Sequence, residues 1–140
     1  MKNTKRRGSQ YEALFVAQAL KRGLDILEPY GDYMPYDVMV QNADGRIQRV
    51  QVKGTGARIK GKPGFKIIAA SGNTTKAPIN PGEVDVLAAY VEPEDVWYLI
   101  PVVKLTGNVS VYLNPHSKVN GKYEVWKEAW NVFQNGGTPG

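Results

Sequence analysis

The sequence predicts an α/β fold, with a mixed central β-sheet flanked by helices. Three observations carry that prediction. A helical apolar period opens the chain, β-rich segments fill its middle, and a second helical period stands near its end. A length of 140 residues suits one domain with a modest core. We assign that domain to residues 1–134, with a disordered tail over 135–140.

The elements follow in order. "SQYEALFVAQALKRG" reads as a helix with Ala13, Leu14, Val16, Ala17 and Leu20 on its apolar face, Ser9 as N-cap and Gly23 as stop. "LDILEPYGDYM" gives a short extended piece and a loop. "YDVMVQN" alternates as a strand, Asn42-Ala43-Asp44-Gly45 turns the chain, and "RIQRVQVKG" returns as its hairpin partner. "TGARIKGKPG" is a glycine-rich basic loop without periodicity. "FKIIAAS" is a third strand, and "GNTTKAPINPGE" is a loop. "VDVLAAYV" and "VWYLIPV" form a second hairpin around Glu92-Pro93-Glu94-Asp95, apolar enough for strands buried on both faces. "VSVYLN" is a further strand or an extended edge. "YEVWKEAWNVF" predicts a C-terminal helix with Val125, Trp126, Ala129, Trp130 and Phe133 inward.

Charge is segregated. Residues 46–66 carry Arg46, Arg49, Lys53, Arg58, Lys60, Lys62 and Lys66 with no acid, and residues 1–7 add Lys2, Lys5, Arg6 and Arg7. Removing these eleven from the eighteen basic residues leaves seven against thirteen acids, so the rest of the chain is net −6 while the whole is +5. A concentrated basic surface points to a polyanion such as nucleic acid; a solvated hairpin and a floppy tail would look the same. The absence of cysteine excludes disulfides, thiolate chemistry and Cys-ligated zinc. No apolar run is long enough to span a bilayer, and the basic start is not backed by a secretory apolar segment. A cytoplasmic location is expected.

Two decoys are set aside. Gly56-Ala57-Arg58-Ile59-Lys60-Gly61-Lys62 matches a phosphate-binding loop until Pro63 stands where Ser or Thr would hold magnesium, and a strand rather than a helix follows. His116, the sole histidine, lies in a turn and reads as a surface residue.

The first hairpin holds the chemistry. Strand alternation puts Arg49, Gln51 and Lys53 on one face, with Val50 and Val52 on the other, toward the core. Pairing around the turn brings Asp37 to the Gln51-Val52-Lys53 end. A carboxylate, an amide oxygen and a backbone carbonyl are hard ligands suited to Mg²⁺, and a lysine beside them can position water and stabilise charge on a phosphate. Glu12 can join from the first helix, but Ser9-Gln10-Tyr11-Glu12 also reads as a capping box, the better local reading.

Gly8-x-x-x-Glu12 on a helix, then Pro35-Tyr36-Asp37, then Gln51-Val52-Lys53 resembles the PD-(D/E)xK nuclease superfamily, in its Q-x-K branch with the bacterial group I intron homing endonucleases. The resemblance runs from about residue 8 to 103. It implies a restriction-endonuclease-like core and a metal-dependent DNA endonuclease. Asp37, Gln51, the Val52 carbonyl and Glu12 would hold Mg²⁺, with Mn²⁺ able to substitute, and Lys53 would serve the attacking water. Lys5, Arg6, Arg7, Arg49, Arg58, Lys60, Lys62 and Lys66 are the expected DNA contacts, to duplex or branched DNA. A homodimer or higher oligomer is expected for cutting both strands. The alternatives are a Holliday-junction or other structure-specific nuclease, and a non-catalytic nucleic-acid-binding module.

Overall fold

The computed structural model describes residues 4–71, 77–117 and 121–134. The expected disordered tail lies outside the described residues. Helix α1 spans Thr4–Lys21 and leads into β1 (Asp25–Leu27), β2 (Val38–Gln41) and β3 (Ile47–Thr55). Strands β4 (Phe65–Ile68), β5 (Ala70–Ser71), β6 (Ala77–Pro78), β7 (Val86–Val91), β8 (Val96–Pro101) and β9 (Ser110–Leu113) follow.

Five strands form one mixed sheet in the order β1-β2-β3-β7-β8. Strands β3 and β7 run parallel, and the other pairs are antiparallel. The two predicted hairpins are therefore joined side by side through β3 and β7. Strand β7 is buried at every position and β8 at all but its first, as their unbroken apolar runs require. The segment expected to give one third strand divides at Ala69. Its first part pairs with β9 and its second with β6, both outside the main sheet.

Helix α1 stops as predicted. Gly23 sits at φ +80, its N–H donates to the Leu20 carbonyl, and the Leu24 N–H reaches back to Ala19. That is a Schellman closure, and the left-handed position suits glycine. The helix start differs from expectation. It begins at Thr4, so Ser9 lies inside the helix and Lys5, Arg6 and Arg7 occupy its first turns rather than a floppy tail. Those three residues are sound helix formers, and Gly8 costs too little to break the run.

The inward face of α1 also differs. Tyr11, Phe15 and Ala19 are buried, whereas Ala13, Leu14, Ala17 and Leu20 are exposed and Val16 is half-buried. No charge stands between Ala13 and Leu20, so periodicity alone cannot choose between two apolar stripes. Aromatic packing chooses. Phe15 stacks on Trp130 at 5.6 Å and meets Trp97 edge-on at 5.7 Å, and Trp97 stacks on Tyr90 at 4.4 Å.

The predicted C-terminal helix is instead two short 3₁₀ turns, Glu124–Trp126 and Trp130–Phe133. Between them Lys127 is extended and bridges to Tyr98, and Glu128 takes φ 52. The Glu128 N–H donates to the Trp97 carbonyl, and its carboxylate accepts the Trp97 N–H at 2.7 Å. These edge bonds to β8 replace helical ones. They let Trp126, Ala129, Trp130, Val132 and Phe133 all reach the core while Val125 points out. Among the described residues, α1 is thus the one α-helix beside the sheet.

Candidate active site

The β2–β3 hairpin pairs Val38 with Val50, which sets Asp37 one step beyond, at the strand entrance. The Asp37 N–H donates to the Val50 carbonyl at 2.9 Å. Its Oδ2 accepts the Val52 N–H at 2.8 Å. The carboxylate is thereby fixed against the β3 backbone between Gln51 and Lys53. Val50 and Val52 are buried and Gln51 and Lys53 are half-buried, so the expected alternation holds.

Burial pushes the Asp37 carboxyl up, against the opposing pull of the Val52 N–H and the Lys53 charge. Glu12 is half-buried on α1. Its carboxyl is pushed up to about 7, first by burial and then by the negative charges of Asp37 and Glu28. Glu12, Asp37 and Lys53 thus form one electrostatic cluster. The capping box proposed for Glu12 does not exist, because the helix starts at Thr4, five residues before Ser9, and leaves no N-terminal amide there to cap.

Gln51 is the anomaly. Its Oε1 is buried and has no hydrogen-bond partner. Leaving a buried amide oxygen without a partner costs about 1–3 kcal/mol, so such an atom calls for a donor or a cation. Among the described residues, no three His, Cys, Asp or Glu side chains are grouped to hold a metal. A set of two carboxylates and the Gln51 amide supplies oxygen donors of the kind Mg²⁺ takes. The residues fit the ion.

The raised carboxyls have a measurable consequence. A group whose folded pKa is raised favours the fold below its unfolded value of 4.5, and that advantage is lost as pH rises through about 7. The metal-free melting temperature should therefore fall between pH 5 and pH 8. Glu12→Gln should flatten that fall, and a divalent cation should restore stability at pH 8. Thermal melts in EDTA and in Mg²⁺ check this.

The basic residues divide into groups. Lys5, Arg6, Lys60, Lys62 and Lys66 are exposed. Arg7 is half-buried near Gly56 and Glu92. Arg58 lies 3.6 Å from Glu94 and 5.8 Å from the Phe65 ring. Arg49, expected to face DNA, is committed elsewhere: its Nε and Nη2 donate to Asp85 at 2.9 and 3.0 Å, and its Nη1 donates to the Gly82 carbonyl. Asp85 also accepts the Arg49 N–H at 2.7 Å, which makes the pair a clamp between β3 and the start of β7. His116 is exposed and pairs with Glu94. Sequence reasoning missed Glu28 and Asp85, whose partners lie 16 and 36 residues away.

Asp37 at the entrance of β2 and Gln51 and Lys53 on β3 thus lie on neighbouring strands, with Glu12 of α1 electrostatically coupled to Asp37. The family follows from comparison. The PD-(D/E)XK endonuclease model matches residues 2–133, and the chain belongs to that family. A solved bacterial homing endonuclease, I-Ssp6803I, is similar at 26% identity and a TM-score of 0.79, over 97% of this chain and 95% of that one. No curated protein matches the chain. The restriction-endonuclease-like fold implied by the motif resemblance is the fold found. Among the described residues, no helix is long and apolar enough to cross a membrane.

Proposed function

We propose that the protein is a Mg²⁺-dependent DNA endonuclease of the homing or restriction type. The observation that carries this reading is the buried Gln51 Oε1 without a hydrogen-bond partner, on the strand residue preceding Val52, whose N–H holds Asp37. An amide oxygen with no partner has no structural reason to be buried there, and a cation supplies one.

Asp37, Gln51 and the Val52 carbonyl would hold the ion, with Glu12 approaching from α1. The ion would supply Lewis-acid polarisation of the phosphate, and Mn²⁺ would serve in its place. The protein's own groups do the rest. Asp37 is held rigid by the Val52 N–H, so its free oxygen keeps its direction. The Lys53 ammonium, on the Gln51 face, orients water and offsets charge growing on the phosphate oxygens. Glu12 steadies a water from the helix side. In-line attack leaves a 5′-phosphate and a 3′-hydroxyl.

DNA would reach this site along Lys5 and Arg6 of α1 and the loop bearing Arg58, Lys60 and Lys62. Replacing those three loop residues with alanine should weaken binding at every sequence. It should also flatten the salt dependence by about one log–log unit per lost phosphate contact. Nitrocellulose retention of duplex DNA across a salt series measures both.

Cutting both strands calls for two sites, and we assign the active form to a homodimer or higher oligomer. The outward stripe of Ala13, Leu14, Ala17 and Leu20 supports that assignment, as apolar surface without a partner in the monomer. The whole reading is tested by incubating the protein with supercoiled plasmid and with a synthetic four-way junction, in Mg²⁺ or in EDTA. Linear plasmid in Mg²⁺ alone supports it. Cutting of the junction alone would make the enzyme structure-specific, and binding without cutting would make it a recognition module.

A further inference from the structure

We infer that Tyr11, seated on Gly54, is a positioning residue that fixes the spacing between Glu12 and the strand end carrying Gln51 and Lys53. The inference rests on the nuclease reading above and names residues which that reading does not use.

Tyr11 directly precedes Glu12, and Gly54 directly follows Lys53. A Cβ at Gly54 would lie 2.4 Å from both Cδ2 and Cε2 of Tyr11 and 2.9 Å from its Cζ. No carbon tolerates that approach, so the ring occupies the volume that any other side chain at position 54 would need. The ring has nowhere to retreat. Tyr11 is 4% exposed, its Oη donates to Glu92 Oε1 at 2.7 Å, and it meets Tyr90 edge-on at 5.7 Å. Tyr90 is itself the ladder partner of Gly54 across the parallel β3–β7 pair. Burial and Glu92 push the Tyr11 hydroxyl up to about 12, so it stays a donor across the working pH range.

The contact is repeated one helical turn away. Arg7 stands on the same face of α1 as Tyr11, and Gly56 lies two residues beyond Gly54, just past the end of β3. A Cβ at Gly56 would lie 2.8 Å from Arg7 Nη1. Two side chains of α1 therefore lie over Gly54 in β3 and Gly56 just past it, and the buried Tyr11 ring on Gly54 sets how close the helix comes. Glu12 travels with the helix, and Gln51 and Lys53 travel with the strand. A shift of even 1 Å between reacting groups costs about 10²-fold in rate.

Gly54→Ala should weaken Mn²⁺ binding, measured calorimetrically with the metal alone, by about 10–100-fold, and plasmid cleavage by a similar factor. DNA retention in EDTA should stay at the wild-type level, because the basic loop is untouched. Tyr11→Leu vacates the ring volume, so adding it to Gly54→Ala should cost far less than the product of the two single effects. If Gly54→Ala fails to fold by circular dichroism, Tyr11→Phe, which removes only the Glu92 bond, should still weaken Mn²⁺ binding with an unchanged spectrum. Wild-type metal affinity and rate in Gly54→Ala or in Tyr11→Phe, or fully multiplicative effects in the double variant, would overturn the positioning role alone. A wild-type chain that binds no Mn²⁺ and cuts no DNA would overturn the nuclease reading with it.

Discussion

Asp37→Asn should lower Mg²⁺-dependent cleavage by about 10³-fold while leaving the fold intact. The choice of asparagine matters. Asp37 Oδ2 accepts the Val52 N–H, and Val52 is 8% exposed, so alanine would strand a buried donor at about 1–3 kcal/mol. Asparagine keeps an oxygen for that bond and removes only the charge that a cation needs. Removing the charge also relieves repulsion of phosphate, so DNA retention should persist or tighten. Gel assays of plasmid cleavage, with thermal melts of the same preparations, separate the two effects. Asp37→Ala should lose cleavage and melt several degrees lower; Asp37→Asn should lose cleavage alone.

Gln51→Leu should cost about 10²-fold in cleavage, and Gln51→Glu should preserve activity and tighten metal binding. Leucine has similar size but no oxygen to offer. Glutamate keeps an oxygen in the same place and adds charge. Val50 and Val52, not Gln51, pack into the core, so the strand should tolerate both changes. Leucine should even raise the stability of the metal-free protein, since it replaces a buried amide oxygen that lacks a partner. A chain that only binds nucleic acid predicts the reverse pattern, with leucine silent and glutamate harmful through repulsion of phosphate. Cleavage rates and Mg²⁺ half-saturation for the two variants distinguish these cases.

The hairpin at the centre of the site was legible because it is local. An Asp-Gly turn, strict alternation and a strand-start acid are set within twenty residues, and β2–β3 pairing realises them. Both long apolar runs were legible for the same reason. What escaped was decided at a distance. The inward face of α1 is chosen by Trp97 and Trp130, far along the chain, rather than by its own period. The C-terminal segment has helical spacing, yet Glu128 and Lys127 gain more from bonding the edge of β8 than from continuing a helix. Arg49 reads as one more free cation until Asp85 is folded against it. Glu12 illustrates both sides. Its local pattern suggested a cap, and only the true helix start and the neighbouring Asp37 and Glu28 carboxylates show it coupled to Asp37 instead.

The proposed metal ligand is the buried Gln51 amide oxygen. Anomalous scattering from crystals grown with Mn²⁺ tests it most directly. One strong peak is expected, bonded to both Gln51 Oε1 and an Asp37 oxygen at roughly the 2.0–2.1 Å of a small hard divalent cation. Gln51→Leu crystals should lose the peak or show it weakened. A Mn²⁺ site elsewhere, or a Gln51 oxygen still without a partner in the metal-soaked protein, would contradict the claim.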